Sequence, residues 1–302
     1  MNSDNKSLKE WQKYHYEVEK DYAKRILLTQ KNSDERAALF KEAYNQLANI
    51  IEKYNPGGSE PAHNPRHTKM VVSIVKGLAG RSGSVFDIGC ATGNLIKELA
   101  VTGYQVGGIE VSDTFIEIAK TKLRSISCED SAEQADITHY HTNDTYDFIV
   151  MDNVLEHIVP DSVNDVLTKC YRMLNKKGYL LIIVPHKFSG PHDISHFFLP
   201  LGSKADGLHF WEFTFTELDE VLREAGFQKV LGFPFYPSLR RFRRFYEKFN
   251  MQPSMLAAYK AKLFEKLFSI KYLSKVLIID LSITEQLVGI LFPGICVGVK
   301  EI

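Results

Sequence analysis

Residues 84–94 read Ser-Val-Phe-Asp-Ile-Gly-Cys-Ala-Thr-Gly-Asn, and they carry the strongest indication of the fold in this sequence. The apolar residues at 85–88 predict a short buried strand, and Gly89 and Gly93 predict the tight turn that follows it. Apolar residues at helical spacing come next, over 95–100. A strand that enters a helix through a glycine turn exposes backbone and a helix N-terminus to a ligand. The sequence therefore predicts a ligand site at this turn.

A second apolar run, 106–109, ends in the carboxylate of Glu110. An acidic residue at the end of a second strand can accept hydrogen bonds from both hydroxyls of a ribose. The spacing between Gly89 and Gly93 is G-x-x-x-G, which lacks the G-x-G-x-x-G pattern of dinucleotide sites. The pattern therefore favours a nucleoside ligand without a pyrophosphate.

These residues resemble the motifs of class I S-adenosylmethionine-dependent methyltransferases. Residues 87–94 resemble motif I, usually D-x-G-C-G-x-G, with Ala91 where the family usually has glycine, and residues 108–112 resemble motif II. Further blocks follow in the family's order, at 146–157, 174–182, 215–218 and 224–227. The resemblance covers roughly residues 70–235.

Strand and helix patterns alternate along the chain, which indicates a parallel sheet with helices on both faces. The predicted strands cover 84–88, 104–110, 125–128, 146–151, 178–184, 228–236 and 294–301. The resemblance implies an α/β fold with a doubly wound, seven-stranded, mostly parallel sheet of the Rossmann-like methyltransferase type. Its last two strands are expected to be antiparallel.

Four parts of the chain are predicted. They are an N-terminal helical extension (1–66), a methyltransferase core (67–236), a helical insertion or lid (237–292) and the final strand of the core sheet (293–302). Residues 238–249 interleave arginines with aromatic residues, which suits peripheral contact with an anionic membrane, binding of a phosphate-bearing substrate, or packing of the aromatic face on the core. The apolar stretch 263–292 suits a lid or a homodimer contact.

The resemblance implies S-adenosyl-L-methionine as the cofactor. Room beside Gly89 and Gly93 would admit its methionine portion, Asp87 would orient the turn or meet the ligand's ammonium, and Glu110 would hold the ribose. An acidic residue after the third strand would contact the adenine, and Asp130 and Ser131 are the alternatives for that contact. The complete predicted set is Asp87, Gly89, Cys90, Ala91, Gly93, Asn94, Glu110, Val111, Asp130, Ser131, Asp152 and Asn153.

Histidines follow the fourth and fifth strands, where doubly wound sheets place their active sites. Methyl transfer to a hydroxyl requires removal of a proton, and histidine is the natural base near neutral pH. The candidate bases are His157, His186 and His209. Each has a structural alternative: His157 suits a helix start bonded to backbone, and the aromatic residues at 210–215 suit a packed core beside His209.

The pair Glu156-His157 with a distant histidine resembles the metal-holding arrangement of small-RNA 3′-end methyltransferases and ubiquinone-pathway O-methyltransferases. Those families have a glutamate where this chain has Asn153. The remaining set of Glu156, His157 and His209 is a poor cage for Mg²⁺, which prefers oxygen ligands. The sequence therefore predicts no bound metal.

Composition narrows the class of protein. The 302 residues carry 37 basic and 37 acidic side chains, and this neutral balance argues against a nucleic-acid substrate. Four scattered cysteines without a C-x-x-C pair favour reduced thiols in a cytosol. The polar N-terminus predicts no secretory signal, and no apolar run reaches the ~18 residues of a membrane span. We expect a cytoplasmic protein, with membrane contact through 238–249 left open.

The predicted function is that of an enzyme, an S-adenosylmethionine-dependent methyltransferase. Oxygen is the expected target, on a small metabolite, a sugar or a lipid-linked acceptor, because histidine bases surround the site and no amide-clamping motif follows the fourth strand. The alternatives are an N-methyltransferase and a non-catalytic partner subunit that binds the cofactor.

Overall fold

The computed structural model describes residues 8–54, 64–200, 202–232, 253–268 and 295–300. The arginine-rich stretch 238–249 and most of 263–292 lie outside these residues, so the interpretations of both stretches stay predictions.

Strands and helices alternate through the central part of the chain. The strands are β1 (Ser84–Ile88), β2 (Gln105–Glu110), β3 (Ala132–Gln134), β4 (Tyr146–Asp152), β5 (Leu174–Ile183), β6 (Lys229–Gly232) and β7 (Ile295–Val299). The helices are α1 (Leu8–Leu28), α2 (Asp34–Tyr54), α3 (Pro65–Ala79), α4 (Asn94–Ala100), α5 (Asp113–Arg124), α6 (Val163–Met173), α7 (Phe215–Glu224) and α8 (Met255–Phe268).

All seven strands form one sheet in the order β3-β2-β1-β4-β5-β7-β6. Pairing is parallel from β3 to β5, whereas β7 runs antiparallel to both β5 and β6. The predicted seven-stranded, mostly parallel sheet is therefore confirmed. The strand predicted at 125–128 is wrong, because these residues form the turn after α5, where Ser127 has a φ of 56°.

The sheet is buried on both faces because successive side chains of a strand point in opposite directions. Phe148 and Val150 of β4 pack in one apolar cluster with α3, whereas Ile149 and Met151 pack in another with α6 and α7. This double burial explains why the central strands read as continuous apolar runs.

The first two helices pack against each other and against the loops that follow β4 and β5. Val159, Leu208 and Phe210 join their apolar cluster. Arg36 of α2 is buried and its Nη1 lies 2.7 Å from Asp161 Oδ1. The helices are thereby fixed over the carboxyl ends of the strands.

Helix α8 lies within the predicted insertion and packs beside α7. Its Glu265 is buried, with Oε1 2.9 Å from His186 Nε2 and Oε2 accepting a hydrogen bond of 2.9 Å from Thr216 N. A carboxylate at a helix N-terminus satisfies amides that have no partner within the helix. Glu265 therefore joins α8 to the start of α7.

Among the described helices, none has both the length and the apolar character needed to cross a bilayer.

Candidate active site

A cavity of about 600 Å³ opens at the carboxyl ends of the parallel strands. Its walls come from Arg36, Phe40 and Tyr44 of α2, from Asn64, His67 and Thr68 at the start of α3, and from the segments that follow β1, β2, β3 and β4. The predicted cofactor residues line it, with the exception of Gly93, Asp130 and Ser131.

The glycine turn after β1 forms the floor of the cavity. Gly89 has a φ of 74°, and a Cβ atom built on it would lie 2.4 Å from Val154 Cγ2. Its amide donates a hydrogen bond of 2.8 Å to Ile109 O on β2. Ala91 has a φ of 46°, a conformation that glycine adopts more readily, which accounts for glycine being usual at this position in the resembling family.

Gly93 has a packing role in addition to the one predicted. It lies outside the cavity lining, and a Cβ atom built on it would lie 3.1 Å from Ala119 Cβ on α5. Its φ of 73° and this close approach both require glycine. Gly93 therefore serves the packing of α4 against α5, and its role in leaving room for the cofactor stays a prediction.

Glu110 joins the ends of β1 and β2 inside the cavity. Its Oε2 accepts a hydrogen bond of 3.0 Å from Ala91 N, and its Oε1 accepts one of 2.9 Å from Ser112 N. Burial raises the pKa of Glu110, and these backbone hydrogen bonds oppose the rise. The position suits the contact with ribose hydroxyls that the sequence predicts.

Two further acids lie at the same end of the cavity. Asp87 is buried, and burial together with the charges of Asp152 and Glu110 raises its pKa well above its ordinary value. Asp152 Oδ2 lies 2.6 Å from His67 Nε2. Such a group of carboxylates favours a positively charged ligand. Sequence analysis did not identify His67, because α3 precedes every recognised motif and no pattern of neighbouring residues indicates a site there.

The acidic residue that follows the third strand is Asp136, not Asp130. Asp130 and Ser131 form a short helical turn before β3, at the end of the strand away from the cavity. Asp136 comes after β3 and lines the cavity, and its Oδ1 accepts a hydrogen bond of 2.8 Å from Thr138 N. The third strand lies later in the chain than the sequence predicted, so Asp136 becomes a further candidate for the adenine contact, and Asp130 or Ser131 stays a prediction.

His157 is the only one of the three candidate bases that lines the cavity. Its Nδ1 lies 3.1 Å from the carbonyl oxygen of Leu208, so this nitrogen carries the proton and Nε2 carries the lone pair. Burial and the charge of His209 lower the pKa of His157 to about 3, so the ring stays neutral. Tyr44 of α2 meets this ring edge to face, with 5.9 Å between the ring centres.

His186 and His209 lie outside the cavity lining, and their role as bases stays a prediction. The buried His186 pairs with Glu265, as described above. His209 lies behind His157, with 4.6 Å between the ring centres, and its Nδ1 is 3.0 Å from Glu212 Oε1. Burial lowers the pKa of His209, but the hydrogen bond to Glu212 and the charge of Glu156 raise it above its ordinary value overall.

Glu156, His157 and His209 come together in space, as the resemblance to metal-holding methyltransferases suggested. One ligand atom from each lies within 4.8 Å of those of the other two. Both carboxylate oxygens of Glu156 are buried and have no hydrogen-bond partner among the described residues. Asn153 takes no part, since its Nδ2 donates to Asp152 Oδ1 at 3.0 Å. A carboxylate without partners beside two imidazoles fits a metal ion.

A family model described as "Methyltransferase domain" matches residues 63–231, more than half of the chain. The chain belongs to this methyltransferase family. The strand order and the residues of the glycine turn agree with a class I S-adenosylmethionine-dependent methyltransferase. The cofactor of this methyltransferase is S-adenosyl-L-methionine, and the protein is an enzyme, as the sequence predicts.

Curated relatives of the methyltransferase include ubiquinone biosynthesis O-methyltransferases. The protein of Pseudomonas savastanoi pv. phaseolicola is 27% identical over 216 residues, which cover 61% of this chain and 82% of that protein. An uncharacterized methyltransferase of Bacillus cereus is 33% identical over 109 residues, which cover 36% of this chain and 50% of that protein.

Solved structures share the fold of the methyltransferase. Phosphoethanolamine N-methyltransferase 2 of Haemonchus contortus, in complex with S-adenosyl-L-methionine, matches with a TM-score of 0.51 at 16% identity over 78% of this chain. This chain spans about half of that protein, 53% of its length. The 1,6-didemethyltoxoflavin-N1-methyltransferase of Burkholderia thailandensis matches with a TM-score of 0.50 at 17% identity, over 66% of this chain and 80% of that one. At these identities the likeness concerns the fold alone.

Proposed function

We propose that this methyltransferase transfers the methyl group to a hydroxyl oxygen of a small, uncharged acceptor bound between α2 and His157. The observation that carries the proposal is the position of His157 on the cavity wall, with Nδ1 held by Leu208 O and Nε2 left as the acceptor nitrogen. The curated O-methyltransferase relatives support oxygen as the target.

The cofactor is proposed to lie across the ends of β1, β2 and β3. Glu110 holds the ribose hydroxyls, Asp136 accepts from the adenine amino group, and the backbone of the glycine turn faces the methionine portion. The carboxylates of Asp87 and Asp152 favour the positive charges of the sulfonium and the ammonium. This placement leaves the part of the cavity beside His157 for the acceptor.

The reaction is an in-line displacement. The acceptor oxygen forms a bond to the methyl carbon, the bond between that carbon and sulfur breaks, and sulfur keeps the electron pair, so neutral S-adenosylhomocysteine leaves. A base beside the acceptor oxygen must take up the proton of the hydroxyl group. His157 Nε2 can accept it, and because burial lowers the pKa of His157 to about 3, the proton moves only as bond formation makes the acceptor oxygen positively charged. Alternatively, Glu156, His157 and His209 would hold a metal ion, which supplies Lewis acidity that makes the hydroxyl more acidic.

The acceptor end of the cavity is apolar and aromatic rather than charged. Phe40, Tyr44, Ile158 and Val159 line it. Arg36 also lines it, but its guanidinium donates to Asp161 Oδ1 and to Thr29 O, each at 2.7 Å. Because this cation is already satisfied, an anionic acceptor group gains little there. The lining therefore favours an acceptor with an apolar or aromatic body, such as a phenol.

Calorimetry with S-adenosylhomocysteine and turnover of phenolic acceptors with S-adenosylmethionine test this proposal. We expect His157→Ala to abolish turnover and to leave the affinity for S-adenosylhomocysteine nearly unchanged, because the ring contacts the acceptor side only. The matched control is His141→Asn, an exposed histidine, which should keep full activity. Unaltered turnover in the His157→Ala variant would refute the role of this residue, and transfer to amines alone would refute oxygen as the target.

A further inference from the structure

Helix α2 carries the residues that face the proposed acceptor, and it is attached to the core at two places. Arg36, Phe40 and Tyr44 recur every four residues, so they share one face of the helix, and all three line the cavity. Arg36 bonds Asp161 near the start of the helix. We propose that Asn45 provides the second attachment and is a positioning residue for methyl transfer, because it fixes the acceptor wall (Phe40 and Tyr44) relative to the cofactor site.

The side chain of Asn45 bonds the first residues of α5. Its Oδ1 accepts a hydrogen bond of 3.0 Å from Ser112 Oγ and one of 3.1 Å from Asp113 N, and its Nδ2 donates one of 3.1 Å to Asp113 Oδ2. Backbone amides at the start of a helix have no partner within that helix, so they need an acceptor from outside it. Asn45 therefore uses both the oxygen and the nitrogen of its carboxamide to hold α2 against the start of α5.

Ser112 links this contact to the proposed ribose site. It is fully buried, and its backbone N–H donates a hydrogen bond of 2.9 Å to Glu110 Oε1. The same residue therefore bonds Glu110 through its amide and Asn45 through its hydroxyl. Removing one partner of a buried hydroxyl leaves the other unsatisfied, which costs more than the hydrogen bond itself contributes. Ser112 and Asn45 thus set the separation between Glu110 and α2.

Tyr44 is the residue that this attachment positions most directly. Its ring meets the ring of His157 edge to face, with 5.9 Å between the centres, and its hydroxyl has no hydrogen-bond partner among the described residues. The place of the ring is therefore set by the backbone of α2 and by packing, and not by a hydrogen bond of its own. This inference rests on the proposed function, because it takes the space beside Tyr44 and His157 as the acceptor site.

An in-line methyl transfer is sensitive to small displacements of the acceptor. A shift of about 1 Å in the groups that position a substrate can lower the rate about 100-fold. Lys41 also links α2 to the start of α5, with its Nζ 2.9 Å from Asp113 Oδ1, but both groups are exposed and such ion pairs contribute little. The alignment of the acceptor with the methyl group therefore depends on Asn45.

The test compares acceptor turnover with cofactor binding in full-length variants. Asn45→Ala should lower kcat/KM for a phenolic acceptor by roughly 10–100-fold, mainly through kcat, because the acceptor still binds but is misaligned. The affinity for S-adenosylhomocysteine, measured by calorimetry, should change by less than about threefold, because Glu110 keeps its backbone hydrogen bonds. Lys41→Gln is the matched control: it loses the exposed contact with the same Asp113 and should stay within about twofold of the parent.

An exchange of the two side chains tests the contact itself. Asn45→Asp alone places two carboxylates against each other and should reduce kcat/KM at least as far as Asn45→Ala does. Adding Asp113→Asn restores an amide donor opposite a carboxylate, with the direction of that hydrogen bond reversed. The double variant should therefore recover to within about threefold of the parent. These two variants also decide the question if Asn45→Ala does not fold.

Each outcome bears on one proposal. An unchanged kcat/KM in Asn45→Ala overturns the inference, and so does an equal loss of affinity for S-adenosylhomocysteine, which would mean that Asn45 supports the cofactor site alone. A double variant that binds S-adenosylhomocysteine without recovering turnover overturns the assigned hydrogen bonds. If the parent methylates amines and no phenol, the proposed function fails, and the same comparison is made with the amine, because Asn45 would position any acceptor that lies against Tyr44.

Discussion

The carboxylate of Glu110 accepts a hydrogen bond of 3.0 Å from the backbone N–H of Ala91, so the end of β2 is tied directly to the turn that follows β1. Its second oxygen accepts from Ser112 N at 2.9 Å. The residue proposed to hold the ribose thus also fixes the loop that faces the methionine portion. Glu110 therefore connects the ribose end and the methionine end of the proposed cofactor site.

Glu110→Gln is expected to weaken binding of S-adenosylhomocysteine by roughly 10–100-fold. The change removes the negative charge and replaces one acceptor oxygen with an NH₂ group that faces other donors. The loss is of this size because hydrogen bonds to charged groups contribute about 1.5–3 kcal/mol. Calorimetry measures the loss. The exposed Glu133→Gln on the neighbouring strand is the control, and an equal effect of both changes would show that only bulk charge matters.

Asp136→Asn is expected to lower the affinity for S-adenosylhomocysteine several-fold, whereas Asp130→Asn leaves it unchanged. Asparagine keeps the oxygen that accepts from Thr138 N, so the turn after β3 is preserved and only the contact with the adenine amino group is weakened. Calorimetry of the two variants side by side tests the corrected assignment. A loss in the Asp130 variant alone would restore the assignment made from sequence.

Gly89→Ala is expected to destabilise the protein far more than Gly103→Ala. Both residues have positive φ, 74° and 96°, so both variants bear a backbone cost of about 1–2 kcal/mol. Only the Gly89 variant also places a Cβ atom 2.4 Å from Val154 Cγ2, for a further ~1–3 kcal/mol. Urea denaturation measures the difference.

Adding Val154→Ala to the Gly89→Ala variant should recover part of the lost stability, because it removes the colliding methyl group. A double variant no more stable than Gly89→Ala alone would assign the whole effect to the backbone conformation.

Glu265→Gln is expected to lower the free energy of unfolding by about 1.5–3 kcal/mol at pH 7, because it weakens the buried hydrogen bonds that the carboxylate accepts from His186 and from the start of α7. The hydrogen bonds from His186 and Thr216 outweigh the effect of burial and lower the pKa of Glu265. Because the pKa of Glu265 is lower in the folded state, its ionised carboxylate stabilises the fold at pH values above its unfolded-state pKa, near 4.5. This stabilisation is lost as the pH falls through the pKa of the folded state.

The difference between the parent and Glu265→Gln should therefore narrow below about pH 4.5. Denaturation at pH 7 and pH 4 measures it, with the exposed Glu224→Gln as the control. A difference that does not change with pH would mean that the charge of Glu265 contributes nothing.

The central strands and the glycine turn were predictable because their signal is local. Strand β4 is buried on both faces and reads as an apolar run, and Gly89 marks a conformation that few other residues adopt. Strand β3 gave no such signal. It is a three-residue edge strand with the polar sequence Ala-Glu-Gln, whereas the apolar residues that suggested a strand belong to the turn before it. The choice of Asp130 as the acidic residue after the third strand follows from this displacement.

Several features of the site depend on contacts between distant parts of the chain, which sequence analysis does not show. His186 pairs with Glu265, 79 residues later, and no local pattern marks that partner. Tyr44 and His67 enter the cavity from helices that precede every recognised motif. The cluster of Glu156, His157 and His209 could be anticipated from the resemblance, but the orientation of both rings required the positions of Leu208 and Glu212.

The wall formed by Phe40 and Tyr44 belongs to helix α2, which lies before residues 63–231 that define the methyltransferase domain. A fragment trimmed to that domain would keep the nucleoside end of the chamber and leave the other end as an open trough. Under the proposed function, selectivity for the methyl acceptor would depend on a stretch of sequence separate from the one that binds the cofactor. Replacing α1 and α2 with the corresponding helices of a homologue should therefore change the acceptor that the methyltransferase uses and leave cofactor binding unchanged.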